Sequence, residues 1–199
     1  MSTAKVEPTA VVDVTAVLEN GVRVWDNAQI RDNAYLGENV IVGKGAYIGS
    51  KVKVGKNSKI QNYALIYEPA VLHNGVFIGP GTVLTNDHNP RAINSDGSQK
   101  KSSDWEATGV EVEEGASIGA GSVCVAPVKI GRWASIAAGS VVTSDVPPFA
   151  LMIGVPARQV GWVGHAGARL KEISENIFLC PITEKVYRLT ERIFEEVKK

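Results

Sequence analysis

An aliphatic residue recurs at every sixth position from Val6 through Val12, Leu18, Val24, Ile30, Leu36, Val42, Ile48, Val54, Ile60, Ile66, Leu72 and Ile78 to Leu84. The position four further on is small or β-branched, as in Ala10, Ala16, Val22, Ala28, Val40, Ser58 and Thr82. Glycine or asparagine stands between them at predicted turns, including Gly21, Asn27, Asn33, Asn39, Gly45, Asn57, Gly75 and Gly81. From Val112 the pattern resumes through Ile118, Cys124, Ile130, Ile136 and Val142. A six-residue period fits neither an α-helix nor a simple stack of hairpins. Three hexads instead close one triangular coil of eighteen residues, each side a short parallel strand with its large aliphatic pointing inward. Gly and Asn supply the backbone conformations that the corners need. Coils stack at ~4.8 Å, so about nineteen hexads predict roughly six coils and a prism about 30 Å tall, with open backbone only at its two ends.

The lattice breaks once. A polar loop of 24 residues, from Asn86 to Gly109, separates Leu84 from Val112 within "LTNDHNPRAINSDGSQKKSSDWEATGVEV". A loop of that length inside a compact fold is usually functional or disordered, and a purely structural solenoid has no need of it. Beyond residue 163 the rhythm stops. "GARLKEISENIFLCPITEKVYRLTERIFEEVKK" predicts a short helix, a small hairpin around Ile182 to Lys185 and a charged tail that caps the prism. The organisation expected is a solenoid domain over 1–162 carrying the inserted loop 86–109, then a capping segment over 163–199.

Composition narrows the possibilities. With 21 basic and 21 acidic residues among 199, no net field steers the chain toward nucleic acid or an anionic membrane. No stretch approaches ~18 unbroken apolar residues, and no charged-then-apolar leader is visible. Cys124 falls in an inward slot and is expected in the core; Cys180 has no nearby partner, and a reducing cytoplasm is the default compartment. The histidines, His73, His88 and His165, include no closely spaced pair, whereas a zinc enzyme on this architecture needs three converging ligands. No metal site is expected.

This hexad pattern resembles the hexapeptide-repeat acyltransferases, an all-β family whose fold is a left-handed parallel β-helix; the handedness comes from that resemblance. A narrower likeness lies in "KIQNYALIYEPAVL", Lys59 to Leu72, followed by Leu84-Thr85-Asn86 and Pro90-Arg91-Ala92, with the coil-terminating "DVPPFALMIGVPARQVGW" from Asp145 to Trp162. These resemble bacterial N-acetyltransferases acting on nucleotide-linked amino sugars, over roughly residues 6 to 170. The resemblance implies acetyl-CoA as co-substrate, a UDP- or dTDP-linked amino sugar as acceptor, and a role in cell-surface polysaccharide (lipopolysaccharide or O-antigen) biosynthesis. It also implies a homotrimer with active sites between neighbouring prisms. That agrees with the physics: a flat-sided solenoid has no concave pocket unless a loop or a neighbour helps enclose one.

Roles follow from that likeness. The Asn86 amide can accept from the attacking amine and donate to the developing oxyanion. Histidine is the side chain suited to exchanging a proton at physiological pH, so His88 is a candidate general base, although relatives can leave the proton to the departing thiolate. Asp87 is expected to orient His88 or meet substrate, and Arg91 offers a fork for phosphate or carboxylate. Gln61, Asn62, Tyr67 and Glu68 carry polar atoms where other coils present Gly or small residues, and are expected to line the sugar and nucleotide side. Backbone amides near Ala120 and Ala138 are expected along the pantetheine, with Arg158, Lys129 and Arg132 toward the CoA phosphates. Trp25, Trp133 and Trp162 are expected between subunits, and Trp105 over the site. Alternatives remain: an O-acetyltransferase or one with a non-nucleotide acceptor, a γ-class carbonic anhydrase-like enzyme, or a structural β-helix.

Overall fold

The computed structural model describes residues 3–191 and 193–197. The hexads form two-residue strands that stack into three parallel sheets, one per side of a triangular prism. The first face runs from Lys5–Val6 through Arg23–Val24, Ile41–Val42, Lys59–Ile60, Phe77–Ile78 and Ser117–Ile118 to Ser135–Ile136 and Ala150–Gly154. Val11–Val12 begins the second face, which ends at Val141–Val142; Val17–Leu18 begins the third, which ends at Val128–Ile130. Partners lie eighteen residues apart, as in Lys59↔Phe77 and Leu65↔Val83.

Every inward lattice residue from Val24 to Val142 is buried in one continuous core. The four hydroxyls in small slots are buried too, and each finds a backbone partner. Ser58 Oγ donates to the His73 carbonyl at 3.1 Å, Thr82 Oγ1 to Gly119 at 3.0 Å and Ser122 Oγ to Ala137 at 3.0 Å, while Ser140 Oγ accepts from Gly154 N at 3.2 Å. Asn27, Asn33, Asn39 and Asn57 turn corners at φ of 55–60°, the left-handed region that Asn tolerates better than most residues. Trp133 and Phe149 adopt the same conformation, at φ 58° and 61°, and project from the corner between the third and first faces. Gly115, at φ +69°, lies beneath Trp133: a Cβ there would come within 2.5 Å of the indole.

Seven coils are complete and Ala150–Gly154 starts an eighth, against the six expected. The last turn is irregular, which hid it from a hexad count. Ile136 pairs with Met152, sixteen residues on rather than eighteen, and Ile130 bridges to Val146. The inserted loop leaves these registers untouched, since Leu84 still pairs with Cys124 and Leu72 with Val112.

The C-terminal segment departs from expectation twice. It contains no α-helix among the described residues; it forms an antiparallel sheet of Lys171–Ser174, Ile177–Leu179, Val186–Thr190 and Ile193–Glu196. Its apolar residues alternate, as in Tyr187 and Leu189, and Asn176 and Glu191 turn at φ 57° and 55°, so the period is two rather than 3.6. The connection around Ile182 to Lys185 does join two of these strands. Second, the sheet docks on the flank of the last coils instead of over the end. Trp162 stacks on Phe194 at 4.2 Å, and His165 packs edge-on against Trp133 and Phe149. The terminal hairpin of Ala150–Gly154 and Ala157–Trp162 supplies Met152 and Ala157 to the end of the core.

Candidate active site

The loop departs from the corner between the second and third faces. Thr85 extends the ladder there: its N–H donates to the Cys124 carbonyl at 3.0 Å, and its Oγ1 accepts from Ala126 N at 2.9 Å. Thr108 N donates to the Asn86 carbonyl at 3.0 Å, closing the neck and leaving the half-buried Asn86 side chain at its edge. His88 stands just beyond, with Nδ1 3.2 Å from the Ala126 carbonyl. A carbonyl only accepts, so this bond requires the proton on Nδ1 and leaves Nε2 with its lone pair free.

Asp87 does not orient His88. Its carboxylate caps Asn89 N at 2.8 Å and faces Lys100 at 3.9 Å, bracing the loop. Arg91 is exposed and, among the described residues, donates only to the neighbouring Pro90 carbonyl. Asn94, Ser98, Lys101 and Asp104 tie the outer loop to itself, and Trp105 follows directly.

On the N-terminal side of the same corner, Asp32, Ser50, Glu68 and Asn86 form one column, each eighteen residues from the last. Ser50 Oγ donates to Asp32 Oδ1 at 2.7 Å, the main cause that holds this carboxyl below its ordinary range. Arg31 approaches Asp32 at 3.6 Å. The Tyr47 ring lies 5.2 Å from Tyr67; burial pushes its phenol above the ordinary value, and the nearby Glu68 carboxylate adds to the shift. Glu68 Oε2 and Thr108 Oγ1, both beside the neck, are buried without a hydrogen-bond partner among the described residues. Gly49 makes room for Glu68, since a Cβ there would stand 2.8 Å from the Glu68 nitrogen. Sequence reasoning missed Arg31, Asp32 and Tyr47. Extending the column back from Asn86 in steps of eighteen, rather than six, would have found Asp32; the matching steps from Thr85 and Val83 lead to Arg31 and Tyr47.

The corner between the first and second faces holds another column: Asp26, Lys44, Asn62, Pro80, Ala120 and Ala138. Asn62 Oδ1 accepts from Lys44 N at 3.0 Å. The N–H groups of Ala120 and Ala138 have no protein acceptor among the described residues. Each lies against a glycine, Gly79 or Gly119, at which a Cβ would come within 2.5 Å and 2.4 Å of the respective nitrogen. That bare strip with two free donors suits an extended chain of amides such as pantetheine.

The two corners bound opposite edges of the second face, so a single chain does not unite Asn86 and His88 with Ala120 and Ala138. Lys129 and Arg132 are not at the corner of Ala120 and Ala138 either. Lys129 points from the third face into carboxylates, Glu113 at 2.8 Å and Glu111 at 3.5 Å, and these bonds hold its ammonium above the ordinary value. Arg132 sits at the third–first corner beside Trp133 and His165. They were proposed for their charge, which cannot tell one face from another. Arg158 is exposed on the terminal hairpin, opposite Ile153. His73 pairs with Glu111 at 2.9 Å on the third face, far in topology from His88 and His165, and no group of three or more His, Cys, Asp or Glu among the described residues could hold a metal ion.

The family model described as bacterial transferase hexapeptide (six repeats) matches residues 15–50 and 51–86, and that of the hexapeptide repeat of succinyl-transferase matches 109–144. Together they cover more than half of the chain and stop at the edges of the loop. Over 69 residues the chain is 51% identical to a dTDP-3-amino-3,6-dideoxy-alpha-D-galactopyranose 3-N-acetyltransferase of Aneurinibacillus thermoaerophilus, covering 35% of each. A serine acetyltransferase of Escherichia coli is 38% identical over 88 residues, 44% of this chain and 31% of that one. The matches thus span only about a third of these curated relatives. A perosamine N-acetyltransferase variant from Caulobacter crescentus, solved with CoA and GDP-perosamine, superposes with a TM-score of 0.50 at 25% identity over 80% of this chain and 57% of that one. The shared fold is the left-handed parallel β-helix.

Proposed function

This chain belongs to the bacterial hexapeptide-repeat transferases, and from that premise we propose that it transfers acetyl from acetyl-CoA to the amino group of a nucleotide-linked amino sugar. The observation that carries the reading is the neck, where the Asn86 amide stands two residues from an imidazole whose Nδ1–H is held by the Ala126 carbonyl. In the step envisaged, the amine nitrogen bonds to the thioester carbonyl carbon and the C–S bond breaks, releasing CoA thiolate. His88 Nε2 takes the proton that the amine sheds and returns it to the departing sulfur. The Asn86 side-chain amide donates to the oxyanion as it forms.

The donor's pantetheine would lie along Gly79, Gly119, Ala120 and Ala138, with the two free N–H groups as its partners. Since that strip and the neck are separated by the second face, we propose that the working site lies between copies, in a homotrimer. The outward residues of that face support this: Tyr47, Leu65, Val83, Val123 and Val141 form an uncharged stripe, as a surface packed against another prism requires. Among the described residues no helix is long and apolar enough to cross a membrane; a cytoplasmic setting and a role in surface-polysaccharide assembly complete the reading.

A panel of UDP- and dTDP-linked amino sugars with acetyl-CoA, scored by thiol release, tests it. Acetylation of a nucleotide amino sugar supports the proposal; turnover confined to a free amino acid or an unlinked sugar would favour the second reading, which the serine acetyltransferase likeness keeps open.

A further inference from the structure

On the first face, the residues that follow the inward aliphatic read, coil by coil, Glu7, Trp25, Gly43, Gln61, Gly79, Gly119 and Ala137. Two of these are large groups with a glycine between them. Trp25 and Gln61 lie two coils apart, about 9.6 Å, and bound a depression of about 300 Å³ whose floor includes Gly43 and whose rim carries Lys44, Asn62 and Asp26, the last with its carboxylate accepting from Thr9 Oγ1 at 3.1 Å. Trp25 is 45% exposed, an aromatic that the core does not use. Gly43 is obligatory: a Cβ would stand 2.6 Å from the Asn62 nitrogen, so no side chain can fill the floor.

Resting on the reading that the acceptor is a nucleotide sugar, we infer that this notch is the subsite for its base and diphosphate. The base slides between Trp25 and Gln61, stacked on the indole; a planar ring about 3.4 Å thick leaves room in a gap of that width. The Gln61 and Asn62 side-chain amides, each with donors and an acceptor, meet the polar edge of the ring. Lys44, an exposed point charge one residue from the floor, meets a phosphate. The linear order along this corner is consistent. The notch occupies the second to fourth coils, the loop leaves at the level of the fifth, and Ala120 and Ala138 belong to the sixth and seventh. A nucleotide sugar held in the notch therefore directs its sugar toward the level of the loop from the side opposite the thioester.

The test titrates the full-length protein with UDP and with dTDP, followed by tryptophan fluorescence and calorimetry. At least one should bind saturably, and Trp25→Ala should weaken it roughly tenfold or more, the scale of one lost base–aromatic stack. Trp25→Phe should stay within a few-fold of the parent. In turnover, Trp25→Ala should raise KM for the nucleotide sugar while kcat and KM for acetyl-CoA hold. Failure of both nucleotides to bind, equal binding by Trp25→Ala, or loss of binding that follows a change of assembly state in sedimentation would each overturn the assignment. If no amino sugar is acetylated while UDP or dTDP affinity still tracks Trp25, the activity proposal falls and the subsite stands.

Discussion

The Ala126 carbonyl and His88 Nδ1 lie 3.2 Å apart, joining the inserted loop to the coil one turn further along the prism. The bond fixes the imidazole tautomer from the side away from the open corner. In the proposed mechanism it leaves Nε2 to act as the base.

Replacing His88 with Ala should lower kcat/KM by more than about tenfold, since a positioned base typically contributes ~10²–10⁴. A loss below tenfold would return the proton to the CoA thiolate and remove His88 from the mechanism.

Asn86→Ala should lower kcat by roughly 10²-fold, the scale of one oxyanion donor. Melting should hardly change, because the bond that closes the neck uses the Asn86 backbone carbonyl, which alanine retains. Circular dichroism melts beside the thiol-release assay separate the two effects. Near-parental turnover would mean that the site lies elsewhere.

Gly115→Ala should destabilise the last coils by about 2 kcal/mol, combining the left-handed backbone with displacement of an indole. Chemical denaturation followed through tryptophan emission would report it. The same substitution at Gly167, where nothing lies within 4 Å of the added carbon, should cost only the backbone strain.

Docking of the C-terminal sheet should depend on pH. The Lys185 hydrogen bond, first among the causes, holds the Glu196 carboxyl below its ordinary range, and His165 lies 2.9 Å away. A depressed carboxyl adds stability that is fully present above its unfolded value and is lost as pH falls through the lower folded one. Lys185 is raised chiefly by the same bond, so its share is present below the unfolded lysine value and lost only in strong alkali. Emission from Trp162, stacked on Phe194, should therefore shift as pH falls below the ordinary carboxylate range. In Lys185→Met the acid transition should begin at higher pH; an unchanged midpoint would show that the bond does not contribute.

The site was legible to different depths. Asn86 and His88 stood out because they break a lattice, and a broken lattice is visible in one dimension. Gln61, Asn62, Tyr67 and Glu68 stood out as polar intruders among glycines, yet six-residue steps could not show that the first pair and the second lie at different corners. Arg31 and Tyr47 went unnoticed, being ordinary surface types until they are seen beside Asp32 and Tyr67. Lys129 and Arg132 were chosen for charge, and their partners Glu113 and Trp133 belong to another face. The expected helix past residue 163 failed because alternation over strands of three to five residues is short and the left-handed turns at Asn176 and Glu191 carry no glycine.

What the sequence determined by itself is the solenoid. Each hexad specifies its own strand, its own inward aliphatic and its own corner, and backbone pairing with the next coil repeats one local rule seven times. Only the tertiary structure decided which side chains share an edge and which groups have no partner. Neighbours across coils are eighteen residues apart, or forty where the loop intervenes, and outward side chains answer to those neighbours rather than to anything adjacent in the chain.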